Sequence, residues 1–438
     1  MNLFRAFFDQ DAVIHGEIPK LLHPPARPAN RGLQRTFRRA QPEETLLAVL
    51  RQKPRSGLYR SRLPAGFGDL FSREAADELL TERALRTPFI RMAKDGAVLP
   101  PERFTASGGF GAQVADQVDS AMVLREFAGG ATIVLQGLHR SWPAVQAFTR
   151  SLVAELGHPA QVNAYITPES SRGFDPHYDV HDVFVLQVSG EKHWSVHAPV
   201  HEHPRADEPW SGRRAAVEAR AREEPVIDTV MREGDALYLP SGWLHSAVAC
   251  GGTSIHLTIG VAALTGADVV RELAAEISRQ PELRSPLPIN GSQAERGVLD
   301  DAVRDTILAF VAALEAHSAG DGPARTASAV RRSLQRMLRP EPVAPLATAE
   351  AADNLSPKDL VRMRDGLGAR VAVDDAGVHL AAAGQALRLP AECENAVRAL
   401  ASGEQHWAGA LPNLDEADSL VVTRRLLRSG MLVTESRD

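Results

Sequence analysis

Between residues 131 and 261 the chain breaks into short β-type runs, and this most limits what it can fold into. They are ATIVLQGL (131–138), QVNAYIT (161–167), DVFVLQVSG (182–190), HWSVHA (193–198), VIDTV (226–230), DALYLP (235–240) and TSIHLTIGV (253–261). Val, Ile, Tyr and Thr dominate them, and Gly or Pro punctuates their ends, as strands require. Only SWPAVQAFTRSLVAELG (141–157) repeats its apolar positions at helical spacing within this stretch. Many short strands so spaced predict a sandwich or barrel rather than a doubly wound sheet.

The flanks read differently. LLHPPARPANRG (21–32) is a Pro-rich linker, and helices are expected at 43–52 and 72–83. From 264 to 340 the pattern is helical, with ADVVRELAAEISRQ and DAVRDTILAFVAALEAHS as its clearest parts. RPEPVAPLATAEAADN (339–354) reads as a second linker. Residues 355–438 form a last unit with a hairpin at 369–389 and helices at 391–402 and 415–429. With 438 residues, two to three domains are expected.

Two cysteines, Cys250 and Cys393, exclude a disulfide framework and a thiolate zinc cluster. No apolar run approaches the roughly 18 residues of a membrane span, and the first residues are too acidic for a secretory signal. A cytoplasmic location is therefore expected. The net charge of −6 is uneven: residues 1–62 hold 12 Lys and Arg against 5 Asp and Glu. Such an arm suits RNA or an acidic partner surface, or is a solvated lead-in segment.

DPHYDVHD (175–182) packs three acids and two histidines into eight positions. On a strand, Asp175, His177, Asp179 and His181 share one face. Three ligands at i, i+2 and i+4 on a straight strand spread over about 13 Å and cannot easily share one ion. Two adjacent same-face ligands and a third from a distant strand can. The pair is then His177 with Asp179, or Asp179 with His181. Asp175 and Asp182 read as turn or surface acids.

The third ligand is offered by GDALYLPSGWLH, which runs from Gly234 through Pro240 and Gly242 to His245. This resembles the second signature of the cupin superfamily, in which such a histidine closes a metal site begun on an earlier strand. The resemblance implies the set His177, Asp179 and His245, two imidazoles and one carboxylate. That set suits a non-haem Fe(II) ion with three open positions. His181 is then substrate-facing or orients a ligand.

Over about 64–433 the chain resembles JmjC-type, 2-oxoglutarate-dependent ribosomal-protein hydroxylases, the ribosomal oxygenases. VNAYITP, HYDVHDVFVLQVSGEKHWSVH, GDALYLPSGWLHSA and TSIHLTIGV carry the likeness. It implies an α+β fold: a double-stranded β-helix, the jelly-roll of cupin and JmjC domains, with a helical dimerisation region and a C-terminal winged-helix domain. The implied boundaries are a basic arm 1–63, a catalytic domain 64–263, a dimerisation region 264–345 and a winged helix 346–438.

The same resemblance implies Fe(II), 2-oxoglutarate as co-substrate and O2, hydroxylation of a protein or peptide side chain, and a homodimer. Lys192 stands where the family binds the distal carboxylate of 2-oxoglutarate. Thr253 matches an assisting hydroxyl, and Asn163 and Tyr165 match polar residues facing the co-substrate. Trp194 and FVLQV read as pocket wall or ordinary core. A ribosomal protein leads the substrate classes. A small metabolite or natural-product peptide, N-methyl demethylation and a non-catalytic metal-binding regulatory module are the alternatives. DNA binding is not expected, because residues 351–438 hold 10 Lys and Arg against 13 Asp and Glu.

Overall fold

The computed structural model describes residues 59–62, 66–111, 113–287, 296–382 and 384–435. The basic arm, its linker and the helix expected at 43–52 lie outside them, apart from one short strand. The chain divides into two compact units between Ala263 and Leu264.

In chain order the first unit holds β1 (Tyr59–Arg62), β2 (Ile90–Lys94), β3 (Ala97–Val98), β4 (Thr105–Ala106), β5 (Gln117–Val118), β6 (Thr132–Leu135), β7 (Ala160–Thr167), β8 (Asp182–His197), β9 (Ile227–Met231), β10 (Asp235–Leu239) and β11 (Leu244–Val261). Nine of them form one sheet in the order β1-β10-β8-β11-β7-β6-β2-β3, with β9 on β8. The long strands β8 and β11 pair antiparallel throughout. The first half of β8 also carries β10, and its second half carries β9. The second half of β11 carries β7. This double use of two bent strands is a double-stranded β-helix.

Sequence reading split β8 into two strands at Gly190 and began the last strand at Thr253. Both breaks are bulges inside continuous strands. Gly190 sits at φ +70°, and a Cβ there would come 2.3 Å from the Thr253 carbonyl oxygen. Opposite it, the β8–β11 register shifts between Cys250 and His256, at Gly251 and Gly252. Only glycine tolerates that approach and that backbone, so the ladder turns there without ending.

Alternation along the strands separates two cores. Phe184, Leu186, Ile133, Ile166, Ile255 and Leu257 pack on one face against apolar side chains of the helices Arg73–Thr81 and Pro143–Leu156. Val183, Val185, Trp194, Leu237 and Trp243 pack on the other. Each fully buried side chain of this size contributes about 1.5–3 kcal/mol. The helix Arg73–Thr81 starts where Ser72 accepts the amide of Ala75, a side-chain N-cap.

The second unit contains the helices Gly266–Ile277, Arg296–Ala319, Gly322–Met337 and Pro345–Asp353. The last lies inside the segment read as a linker; its N-terminal Pro345 is compatible with a first helical turn, where no N–H is needed. After it come β12 (Leu360–Met363), β13 (Arg370–Asp374), β14 (Gly377–Ala382), β15 (Gln385–Leu389), β16 (His406–Trp407) and β17 (Leu432–Thr434), with helices Glu394–Ala401 and Glu416–Arg428. The expected hairpin is a three-stranded meander, β13-β14-β15. Both cysteines are free thiols. Among the described residues no helix is long and apolar enough to cross a membrane.

Candidate metal centre

The turn between β10 and β11 delivers His245. Gly242 adopts φ +87°, and a Cβ there would meet the His201 carbonyl oxygen at 2.6 Å. The Gly242 amide donates to the Asp179 carbonyl at 2.9 Å, tying the turn to the other ligand segment. Asp182 is no surface acid. It is buried and accepts from the Tyr238 hydroxyl at 2.9 Å and the Ser241 amide at 3.0 Å. It thus fixes the turn that carries the histidine.

His177 and His245 exchange backbone hydrogen bonds of 3.2 and 2.8 Å, so the two residues stand directly opposite each other. Their ring centroids are 4.5 Å apart. His245 Nε2 lies 3.6 Å from Asp179 Oδ2, and ligand atoms of His177, Asp179 and His245 all fall within 4.8 Å of one another.

The tautomers suit a metal. His177 Nδ1 lies 2.8 Å from the Asp175 carbonyl, and His245 Nδ1 lies 3.1 Å from the Trp243 carbonyl. A carbonyl only accepts, so each ring donates from Nδ1 and keeps a lone pair on Nε2. Burial, then His177, holds the His245 imidazole below its ordinary pKa, in the neutral form a ligand needs. Two imidazoles and a carboxylate on one side of a point fit Fe(II) and leave the other side open. His181 is outside the set.

Below the triad lies a pocket lined by Tyr165, Phe174, Val185, Lys192, Trp194 and His256 among others. Lys192 is 4% exposed, and its Nζ donates to the Thr167 hydroxyl at 2.9 Å. Among the described residues no carboxylate pairs with it, and burial lowers its pKa to about 7. Thr132 donates to the same Thr167 oxygen at 3.2 Å.

Of the four sequence-predicted co-substrate residues, two line this pocket. Lys192 and Tyr165 do. Thr253 sits at the bulge, where its carbonyl accepts from Arg73 at 3.0 Å. The hydroxyl beside Lys192 belongs to Thr167. Asn163 Oδ1 accepts the Gly137 amide at 3.0 Å and so serves the turn before the helix Leu138–Ser141. Sequence reading missed His256. Its ring stacks on Tyr165 at 4.9 Å and 1°, and it meets the Trp194 ring at 5.4 Å and 76°. Burial, with Lys192 and His245 adding to it, keeps it neutral. Thr167 and His256 were legible by period two, since Tyr165 and Thr167 share a face of β7, and His256 lies opposite Tyr165 on β11.

The JmjC domain family matches residues 141–269. Over 98 residues the chain is 43% identical to the bifunctional lysine-specific demethylase and histidyl-hydroxylase NO66 of Drosophila persimilis, covering 22% of this chain and 13% of that protein. Over 118 residues it is 38% identical to ribosomal oxygenase 1 of Rattus norvegicus, covering 27% and 19%. The chain thus spans less than a fifth of the length of these relatives. The solved YcfD, a ribosomal oxygenase from Escherichia coli in complex with cobalt and 2-oxoglutarate, is 16% identical, with 89% of this chain and 98% of that chain covered at a TM-score of 0.45. Residues 141–269 thus match a JmjC domain, and ribosomal oxygenases are among the proteins that the chain resembles.

Proposed function

We propose that the chain is an Fe(II)- and 2-oxoglutarate-dependent oxygenase that hydroxylates a side chain of a protein, with ribosomal protein as the substrate class. One observation carries this most: two histidines with Nδ1 tied to carbonyls aim free Nε2 atoms, beside Asp179, above a buried lysine without an anion. When bound, iron with 2-oxoglutarate and dioxygen supplies the oxidation of a C–H bond, with succinate and carbon dioxide released.

His177, Asp179 and His245 hold the metal, and the carbonyls of Asp175 and Trp243 keep both rings aligned. Lys192 takes a proton as it receives the distal carboxylate, and Thr167 holds its amine in place. A dicarboxylate offsets the desolvation that an unpaired ammonium suffers there. Tyr165, stacked on neutral His256, walls the co-substrate chamber, and Val183, Val185 and Trp194 keep it dry.

The ribosomal substrate rests on the likeness to ribosomal oxygenase 1. Cytoplasmic location, a homodimer and a winged helix used for protein contacts complete the reading. The test is purified protein with Fe(II), ascorbate and labelled 2-oxoglutarate, given ribosomal proteins from cells lacking this gene. Labelled succinate and the gain of one oxygen on one ribosomal protein are expected. Loss of a methylene instead would mark demethylation, and no succinate under any condition would sink the assignment.

A further inference from the structure

His181 is the one histidine of the 175–182 row that the metal site does not use. Its place follows from the strand register. On β11, His256, Thr258 and Gly260 share a face; the first two line the pocket, as does Val183, which pairs with Gly260. On β7, Thr167, Tyr165, Asn163 and Gln161 share the matching face, and Gln161 pairs with Gly260. Lys192 binds Thr167 at one end of this wall. His181 packs at the other, against Gly260, six residues or about 20 Å along the strand.

The site is shaped for this ring. A Cβ on Gly260 would stand 2.8 Å from His181 Nε2 and 2.9 Å from Cε1, so any other residue displaces the imidazole. The amide nitrogen of Gln161 lies 3.2 Å from Nε2. With that nitrogen turned toward it, Nε2 accepts and the ring proton sits on Nδ1. Nδ1 is buried and has no hydrogen-bond partner among the described residues. A buried donor left open costs about 1–3 kcal/mol, so the position is a site waiting for an acceptor.

We infer that His181, held by Gln161 over Gly260, is a positioning residue that donates from Nδ1 to a carbonyl oxygen of the substrate chain beside the residue being oxidised. An N–H donor matches a carbonyl oxygen, and Asp179 two residues away disfavours an anionic acceptor there. The inference rests on the proposed oxygenase activity for its substrate and on geometry alone for its donor.

The experiment has two arms. Long-range 1H–15N spectra of the metal-free protein are expected to contain, besides the Nδ1–H imidazoles of His177 and His245, a further one that vanishes in H181F and turns to mixed tautomers in Q161L. A His181 resonance in the Nε2–H form would overturn the inference whatever the enzyme does. In the second arm, ribosomal proteins from cells lacking this gene are titrated as substrate. H181F is expected to raise their apparent KM about ten-fold and to raise the succinate formed per oxygen installed. G260A should imitate it by pushing the ring aside, and H181N, which keeps an N–H, should recover part of the coupling. Wild-type KM and wild-type coupling in H181F would overturn the inference while leaving the oxygenase reading intact. A wild-type protein that forms no succinate would overturn that reading instead.

Discussion

The two units differ in where they leave buried polar groups open: in the first unit several of them gather around one pocket. In the second, several are matched pairwise, although Arg364 Nε and His406 Nε2 have no partner among the described residues. His317 Nε2 pairs with the Thr326 hydroxyl at 2.9 Å, Ser419 accepts the Leu411 amide at 3.2 Å, and Thr423 donates to the Ala408 carbonyl at 3.3 Å. Arg362 grips both oxygens of Glu341 at 2.8 and 3.0 Å and also reaches Glu435. In the first unit, the chamber keeps Lys192 without an anion, and Nδ1 of both His181 and His256 without a partner. Native proteins satisfy most buried polar groups, so a cluster left open marks where ligands complete the structure. Chemistry is thus expected in the first unit and scaffolding in the second.

The largest expected effect sharpens that contrast at the triad. Replacing His177, Asp179 or His245 by Ala should abolish succinate formation, by about a thousand-fold or more, judged by the share of transition-state binding such sites supply. A readout free of turnover is thermal unfolding. Mn(II) should raise the wild-type Tm by mass action and leave D179A unmoved. A D179A protein still stabilised by the metal would remove the triad from the account.

Lys192 comes next. Its folded pKa of about 7 lies below the unfolded value near 10.4. Between the two, the unfolded chain holds a proton that the folded chain lacks. Stability therefore rises with pH across that window, and the penalty is complete below about pH 7. K192M should be more stable than wild type at pH 6.5 by on the order of 3–5 kcal/mol, with the gap closing toward pH 10. It should also raise the KM for 2-oxoglutarate about a hundred-fold. Succinate affinity should fall as pH rises above 7, because the anion needs the charged amine. A flat stability gap with pH would mean that the amine meets an anion already.

Much of the site was legible because its signals are local. His177-x-Asp179 is a two-residue alternation, and Pro240, Gly242 and His245 form a single turn. Lys192, with its stem on β8, is buried and lines the pocket. Thr253, matched to the family's assisting hydroxyl, sits where the β8–β11 register shifts beside the glycines at 251 and 252, and its carbonyl accepts from Arg73. The hydroxyl that Lys192 does meet is that of Thr167. Asn163 shares a face with Tyr165, yet its amide is taken by a helix start that periodicity does not reveal. Bulges and capping bonds depend on partners far along the chain, so single-strand patterns carry no trace of them.

In the second unit the prediction is about stability alone. Arg362 is 18% exposed and bound by two carboxylates. R362M leaves Glu341 and Glu435 facing each other without the cation and should cost about 2–3 kcal/mol, seen as a lower denaturation midpoint. The Mn(II)-induced rise in Tm should persist. If R362M instead abolished metal binding, the division of labour between the units would be wrong.

The smallest effect concerns an exposed apolar stripe on the second unit. On the helix Arg296–Ala319, Leu299, Val303, Ile307 and Val311 recur every four residues and are 49%, 44%, 57% and 44% exposed. A stripe of this spacing lies along one helix face, and water is a poor solvent for it. A second copy of the same helix would cover it by symmetry, since a two-fold interface needs only one self-complementary patch. Light scattering should then give twice the 47.3 kDa chain mass. I307D, which sets a charge in the middle of the stripe, should shift the protein toward monomer without lowering its Tm by more than about 1 kcal/mol of stability. A wild-type protein that runs as a monomer at micromolar concentration would leave the stripe to another partner, and the second unit would then bind rather than self-associate.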